Sequence, residues 1–477
     1  MIAGIGKGSL EDQLAPRPVD DPSRLQLDDG SRIAVIGGGP AGSFVSYFLL
    51  DMAERVGMDI QVDVYESRDF SRPGPAGCNH CGGIISESLV QLLATDGIRL
   101  PLTVVQRGID AYVLHMDVGS VRIETPLHEK RIAAVYRGSG PRGIKELKWG
   151  SFDAYLQALA VDKGVHLVRE RVDAVGRTDD RPEVKTRGGS SQVYDLVVGA
   201  VGVNTSALKL FEGLEFGYKA PQTTKTYICE LPLGEETVQK CLGSAMQVFL
   251  PNLPRLEFAA LIPKGDYVSV AMLGDEIDDE LVQTFLDTPE VKQCLPPNWS
   301  VPKTLCHCSP RINIQGAVQP FADRMVLIGD CGVTRLYKDG IGAAYRTAKA
   351  VATTAVFQGI SAEDFSRHYK PVYRAISTDN AIGKTVFAFT HQIQKRLLGR
   401  HAILRMVSNE QKQEGSQRRM STVLWDTFTG SAPYRDVFLR TLHPAFLTNF
   451  LWNIVVSVGR RFAFRRMNLP HFDKEQP

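Results

Sequence analysis

The clearest pattern of apolar and polar positions begins at residue 31, where "SRIAVIGGGPAGSFVSYFLL" runs from a short apolar stretch through glycines into a longer one. A short apolar run bounded by glycines is typical of a buried strand, and the longer run is typical of a helix. The segment "IQVDVYESR" supplies a second strand. This order of strand, turn, helix and strand predicts the start of a parallel α/β domain.

A different pattern occupies residues 211–314. The segments "TKTYICEL", "SAMQVFL" and "YVSVAML" are strand-like and are separated by Pro- and Gly-containing turns. Runs of this kind predict an antiparallel sheet. After residue 360 the pattern becomes helical.

The glycine turn carries the first chemical signal. Gly37, Gly39 and Gly42 fit G-x-G-x-x-G, in which the glycines allow a tight turn, close approach of a pyrophosphate and helix packing. Glu66 ends the second strand, where an acid can accept both hydroxyl hydrogens of a ribose. This arrangement suits FAD or NAD, since NADP usually needs a positive partner, for which Arg68 is a weak candidate.

Two later segments favour FAD. "YDLVVGAVGVNTS" has the strand and small-residue turn that close a flavoprotein nucleotide domain. In "DRMVLIGDCGVTRLYKDGIGAAYRTAK", Asp330 can hold a ribityl hydroxyl, and the helix that begins near Gly340 can aim its positive end at the flavin. Because no second G-x-G-x-x-G follows a strand, we expect electrons from transiently bound NAD(P)H, or from a protein or quinone donor.

Residues 31–360 resemble the geranylgeranyl reductase family of FAD-dependent oxidoreductases, which has the p-hydroxybenzoate hydroxylase-type fold. The resemblance rests on "GGGPAG", "CNHCGGIISESLV", "WGSFDAYLQALAVDKGV", "DLVVGAVGVNTS" and "GDCGVTRLYKDGIGAAYRTAK". It implies that Cys81, Gly82 and Gly83 run beside the isoalloxazine ring, and that Lys148 stands where the family has Arg. The chain departs from the family in having Val201 in place of Asp and Cys331-Gly332 after the Gly-Asp pair.

Motif and resemblance together give a set of expected cofactor-binding residues. These are Gly37, Gly39, Pro40, Ala41, Gly42, Glu66, Arg68, Cys81, Gly82, Gly83, Lys148, Val172, Gly202, Gly329, Asp330, Gly340, Ile341 and Gly342.

The cysteines of "CNHCGG" allow three interpretations. The preferred one is a loop against the flavin, as the resemblance implies. Cys78 and Cys81 could instead form a redox disulfide, or they could join Cys306 and Cys308 around zinc or an iron–sulfur cluster. The spacing alone does not show whether the two pairs converge, and no metal site is assigned.

We therefore predict an α/β fold with a Rossmann-like FAD-binding domain, an antiparallel-sheet substrate domain and a helical C-terminal region. The predicted boundaries are a polar arm at 1–30, the first part of the FAD-binding domain at 31–210 with a sheet insertion at about 100–140, the substrate domain at 211–314, the closing part of the FAD-binding domain at 315–360, and a basic helical region at 361–477.

The leading functional hypothesis is reduction of a carbon–carbon double bond of an isoprenoid or related lipid. Flavin N5 would deliver hydride to one alkene carbon, and an acid would protonate the other. Cys81, Tyr337 and Lys338 are the candidate acids. The alternatives are hydroxylation of an aromatic or lipid substrate and quinone-linked electron transfer.

Composition and charge complete the picture. The 477 residues are 43% hydrophobic and 23% charged, as in an ordinary globular protein, and no nucleic-acid partner is expected. Residues 391–477 are basic, with 14 Lys+Arg against 6 Asp+Glu. In "HPAFLTNFLWNIVVSVGRRFAFRR", Asn449, Asn453 and Ser457 recur every four residues in an otherwise apolar helix, so it could lie on an anionic membrane surface or dock on the protein core. We expect a cytoplasmic protein with peripheral membrane attachment.

Overall fold

The computed structural model describes residues 25–124, 131–144, 148–302, 305–412 and 418–467, with side chains to residue 459. Most of the polar arm predicted at 1–30 and the last ten residues lie outside the described part of the chain. The strands are β1 (Ser31–Ile36), β2 (Ile60–Tyr65), β3 (Ile84–Ile85), β4 (Val105–Ile109), β5 (Ala111–Met116), β6 (Gly119–Glu124), β7 (Ile132–Val135), β8 (His166–Val168), β9 (Val172–Thr178), β10 (Arg181–Thr186), β11 (Ser191–Val193), β12 (Leu196–Gly199), β13 (Gln222–Lys225), β14 (Tyr227–Pro232), β15 (Ala245–Phe249), β16 (Leu256–Pro263), β17 (Tyr267–Gly274), β18 (Cys306–Cys308), β19 (Arg311–Gln315), β20 (Phe321–Ala322) and β21 (Met325–Leu327).

Helices connect these strands and form the C-terminal region. They are α1 (Pro40–Arg55), α2 (Glu87–Thr95), α3 (Phe152–Asp162), α4 (Leu208–Glu212), α5 (Glu235–Cys241), α6 (Asp279–Leu286), α7 (Pro289–Lys292), α8 (Gly340–Phe357), α9 (Ala362–Asp364), α10 (Lys370–Gln394), α11 (Leu397–Glu410), α12 (Arg419–Thr429), α13 (Tyr434–Thr441) and α14 (Pro444–Met467). A π-helical segment, Phe365–Tyr369, leads into α10.

The first sheet has the strand order β20-β21-β12-β1-β2-β8. All of its pairings except β20–β21 are parallel. Helices α1 and α8 pack together on this sheet, with the Phe44 and Val351 side chains buried in the core between them. Both faces of a parallel sheet must be covered. Here α1 and α8 cover one face, and Val184 of β10 and Phe211 of α4 pack on the other.

The second sheet has the order β18-β14-β17-β16-β15-β5-β6 and is antiparallel except for the β15–β5 pair. One face packs on α6 and α7 through residues such as Val270 and Phe285. The other face, which includes Ala260 and Ile262, packs against the C-terminal helices through Met406 and other residues. The predicted fold class is confirmed in its parallel sheet, antiparallel sheet and helical C-terminal region. Strands β5 and β6, from the predicted insertion, join this second sheet.

Candidate functional site

The glycine turn between β1 and α1 is shaped by close backbone contacts. Gly37 has φ +105°, and a Cβ there would lie 2.5 Å from the carbonyl oxygen of Ala200. A Cβ at Gly42 would lie 1.8 Å from the Gly37 oxygen. Helix α1 begins at Pro40 without a side-chain cap and without an acidic residue in its first turn. Its N-terminal N–H groups and positive dipole end are therefore suited to an anion such as a phosphate.

Two further predicted residues adjoin this turn. The Glu66 carboxylate accepts hydrogen bonds from the backbone N–H of Gly38 (3.1 Å) and of Arg68 (2.9 Å). The Arg68 guanidinium donates to the Asn79 side-chain oxygen at 2.7 Å. The acid that ends β2 thus lies at the glycine turn, and Arg68 links it to the cysteine loop.

The predicted closing segment, residues 315–360, also reaches the start of α1. Gly329 has φ +61°, and a Cβ there would lie 2.8 Å from the Ala41 Cβ, so the Gly-Asp segment lies against the start of α1. Burial raises the pKa of Asp330, although the positive charge of Arg137 opposes the shift. A Cβ at Gly340 would lie 3.8 Å from an Asp330 carboxylate oxygen. The start of α8, which also contains Ile341 and Gly342, therefore lies close to Asp330.

The loop of residues 78–83 rests on the second sheet. A Cβ at Gly82 would lie 3.1 Å from the Ile262 Cδ1 atom. Gly83 has φ +68°, and a Cβ there would lie 2.0 Å from the Val135 oxygen and 2.6 Å from the Lys264 Nζ atom. The Gly83 oxygen also accepts a hydrogen bond from the Val135 N–H at 2.8 Å. Packing within the protein is thus enough to require glycine at position 83.

A buried charge cluster, formed by Arg137, Asp153, Glu230 and Lys264, lies beside this loop. Arg137 donates through Nε to Asp153 at 2.8 Å, and both side chains are buried. The Lys264 ammonium is 1% exposed and donates to the oxygens of Gly82, at 2.8 Å, and Val135. Fully buried charges are stable only when paired and hydrogen-bonded. Lys264 therefore ties the loop both to β7 and to the turn after β16.

Burial sets the proton affinities within the cluster. It raises the pKa of Glu230, and this shift is opposed by the positive charge of Lys264 and a hydrogen bond from Ser269. It lowers the pKa of Lys264, and this shift is opposed by the negative charge of Glu230. Ser269 donates to the Glu230 carboxylate at 2.6 Å. The Glu230 carboxyl group therefore holds its proton to a higher pH than an exposed glutamate does.

The cysteine pairs do come near one another. Burial raises the pKa of Cys308, and the proximity of Cys78, Cys306, Glu230 and Cys81 adds to that shift. Burial also raises the pKa of Cys78 to about 11, which keeps its thiol protonated at neutral pH. All eight cysteines are free. Across the described ranges, no group of three or more His, Cys, Asp or Glu side chains is placed to hold a metal ion.

The candidate acids fall in two places. Cys81 lies beside the cluster, where it joins Asp153 in raising the pKa of Arg137 against the effect of burial. Tyr337 packs edge-on against Phe387 of α10, with ring centroids 5.0 Å apart, and burial raises its pKa to about 12. Lys338 lies over the Tyr434 ring at 4.6 Å, and burial lowers its pKa. Tyr337 and Lys338 therefore pack the loop before α8 against the C-terminal helices.

The remaining predicted residues are scattered. Lys148 is exposed. Val172 is buried at the start of β9, in the apolar cluster that includes Tyr65. Gly202 has φ +73°, with no atom within 4 Å of where its Cβ would lie. The guanidinium that bonds to the first turn of α3, through Asp153, is that of Arg137 and does not come from position 148.

Sequence reasoning did not select Arg137, Asp153 or Glu230. One signal was available for Glu230, because it is a lone acid within the apolar strand segment "YICEL". A charged residue in such a strand is rarely buried without a partner. The positive charge that opposes the shift in its pKa belongs to Lys264, on the turn after β16, so the sequence alone could not join the two.

No protein-family model matches the chain, and no curated protein matches its sequence. Among solved structures, the chain is similar to a flavoprotein/dehydrogenase from Cytophaga hutchinsonii, with 13% identity and a TM-score of 0.57 over 91% of this chain and 100% of that one. It is also similar to the p-nitrophenol 4-monooxygenase PnpA from Pseudomonas putida DLL-E4, with 14% identity and a TM-score of 0.57 over 85% of this chain and 99% of that one. The halogenase PltM in complex with phloroglucinol and FAD has 12% identity and a TM-score of 0.56 over 91% of this chain and 92% of that one. At these identities the likeness establishes the fold, which is the Rossmann-like flavoprotein fold.

Proposed function

We propose that this chain, which has the Rossmann-like flavoprotein fold, is an FAD-dependent oxidoreductase that reduces a carbon–carbon double bond of an isoprenoid or related lipid. The observation that carries the proposal is the buried charge cluster, which lies beside the Gly82–Gly83 loop and an apolar sheet face. A redox site of this kind needs a nucleotide cradle, an apolar surface for the substrate and a proton donor.

The nucleotide cradle fits FAD. The uncapped start of α1 would face the pyrophosphate, and Glu66 would exchange its bond to the Gly38 N–H for the ribose hydroxyls. Asp330 and the start of α8 would hold the ribityl chain and the pyrimidine edge of the ring. FAD binding by the halogenase PltM, which has the same fold, supports this assignment.

The second-sheet face beside the loop is apolar and is covered by the C-terminal helices, so an isoprenoid chain would enter between them. A Cβ at Gly82 would lie 3.1 Å from the Ile262 Cδ1 atom and 3.9 Å from the Ala271 Cβ. Ala260 and Val248 continue the same face within one apolar cluster. An isoprenoid chain gains free energy by leaving water for such a surface, at roughly 25 cal/mol per Å² of apolar area. A small polar substrate would gain little there.

When bound, FAD supplies hydride for the reduction. An isolated alkene accepts hydride poorly, so the second alkene carbon needs a proton from an acid. Glu230 can store this proton because burial raises its pKa. Cys81, beside Arg137, is the acid that the sequence favours. We propose NAD(P)H as the source of the electrons.

The test uses the purified protein with reduced FAD under argon. Addition of a polyprenyl alcohol should reoxidise the flavin in step with a product that is heavier by two hydrogen atoms. The control is the same mixture with the fully saturated alcohol, which should leave the flavin reduced. Protein that binds FAD but gives no anaerobic product with any isoprenoid alkene would contradict the reductase assignment.

Monooxygenation is the second candidate, because the p-nitrophenol 4-monooxygenase PnpA has the same fold. A hydroxylase would consume oxygen in step with product and would add one oxygen atom to the substrate. The argon experiment therefore separates the two reactions.

A further inference from the structure

Helix α14 has its polar stripe turned toward the protein. Asn453 is 2% exposed, and its side-chain nitrogen donates to the backbone and side-chain oxygens of Asn449, both at 2.8 Å. The Ser457 hydroxyl donates to the Asn453 carbonyl oxygen at 2.7 Å. Helix α14 packs on α11. The polar side chains thus bond to one another within α14 on the side that meets the protein, while the buried Asn453 side-chain oxygen has no hydrogen-bond partner among the described residues.

The outward side of α14 is apolar. Leu451, Trp452 and Val455 are 59%, 65% and 60% exposed, and Leu447 is exposed one turn earlier. We call these four residues the apolar ridge. A helix docked on a globular protein ordinarily buries its apolar stripe and exposes its polar one. Here that order is reversed over more than two turns, whereas isolated exposed apolar residues are ordinary.

Two aromatic side chains of α14 pack against the protein. Phe446 is buried among residues of α11 and α12, and its ring stacks on that of Phe450 at 6.4 Å. The inward side of α14 therefore combines these two rings with the polar stripe, whereas the ridge faces outward.

The charges along α14 indicate what covers the ridge. The sequence of α14 contains Arg460, Arg461, Arg465 and Arg466, and it has no acidic residue between 444 and 467. A second copy of the helix would offer these arginines no opposite charge. An anionic lipid surface complements both the positive charge that these arginines add to the sequence of α14 and the apolar ridge. Within the described residues, no helix is both long enough and apolar enough to span a bilayer.

We propose that α14 lies in an anionic lipid surface, with the apolar ridge at the boundary between headgroups and acyl chains and Trp452 at headgroup level. This attachment does not depend on the flavin chemistry proposed above. It would place the protein at the membrane, in which a lipid substrate is dissolved.

The experiment is sedimentation of the full chain with phosphatidylcholine vesicles, either pure or containing about one-third phosphatidylglycerol. The double variant Leu451→Asp/Trp452→Asp should bind the anionic vesicles at least about tenfold more weakly than the unchanged chain. Replacement of the four arginines by glutamine should weaken binding by about fivefold per charge, and only on the anionic vesicles. The matched control is Leu102→Asp, which changes a leucine that is 87% exposed outside this helix.

Each outcome is decisive because the ridge is exposed and the variants should fold. The unfolding temperature of each variant is measured alongside to check this. Equal vesicle binding by the unchanged chain and the ridge variant would overturn the proposal, and so would failure of the unchanged chain to sediment. If light scattering instead shows an oligomer that the ridge variant dissociates, a second copy covers the ridge and the lipid proposal is wrong. Flavin content is measured separately, so the outcome of the vesicle experiment does not bear on the proposed reaction.

Discussion

Gly83→Ala should destabilise the protein far more than an alanine at another glycine with positive φ. The matched control is Gly97→Ala, because Gly97 has φ +78° and no atom lies within 4 Å of where its Cβ would be. Alanine in this left-handed conformation costs about 1 kcal/mol. We therefore expect a loss of about 1 kcal/mol for Gly97→Ala.

At position 83 the same backbone cost is joined by a steric conflict. The new Cβ would lie 2.0 Å from the Val135 oxygen and 2.6 Å from the Lys264 Nζ atom, so the loop must move away from β7. That movement breaks the Val135 N–H bond to Gly83 and the Lys264 bond to Gly82. A neutral hydrogen bond contributes about 1 kcal/mol and a charged one about 2 kcal/mol. The total expected loss is about 4 kcal/mol.

The assay is urea unfolding of the FAD-free protein, followed by tryptophan fluorescence, with FAD affinity measured separately on folded protein. The family resemblance implies that these glycines are needed so that the flavin can approach the backbone. Without FAD, any loss of stability must come from packing within the protein. Equal destabilisation by the two alanines would refute the packing argument, and a loss of FAD affinity alone at Gly83 would favour the flavin explanation.

Two further predictions concern the buried charge cluster. A carboxyl group donates a proton only while it is protonated, so kcat should fall as pH rises through the raised pKa of Glu230. Glu230→Gln should abolish this pH limb in a pH–rate profile, and an unchanged profile would remove Glu230 from proton supply. Lys264→Met should cost about 3 kcal/mol in urea unfolding, because the oxygens of Gly82 and Val135 lose their buried donor. The control Lys163→Met removes a surface ion pair with Asp51 and should cost less than about 1 kcal/mol; similar losses would contradict the argument.

The sequence by itself determined the features that depend on neighbouring residues. Gly37 and Gly42 define their turn because the steric limits of a strand–turn–helix unit act within a few residues. The strand-like segments of β14, β15 and β17, with the Pro- and Gly-containing turns between them, predicted the antiparallel sheet for the same local reason. Asn453 was correctly placed in a polar stripe of a C-terminal helix.

The tertiary structure decided everything that depends on which surfaces meet. Arg137 and Asp153 come from separate elements, and Lys264 reaches the Gly82 oxygen across 182 positions of sequence. It also decided that the Asn453 stripe faces inward and that the ridge faces outward. A periodic pattern fixes the angle between two faces of a helix, but only the packed partner determines which face is covered.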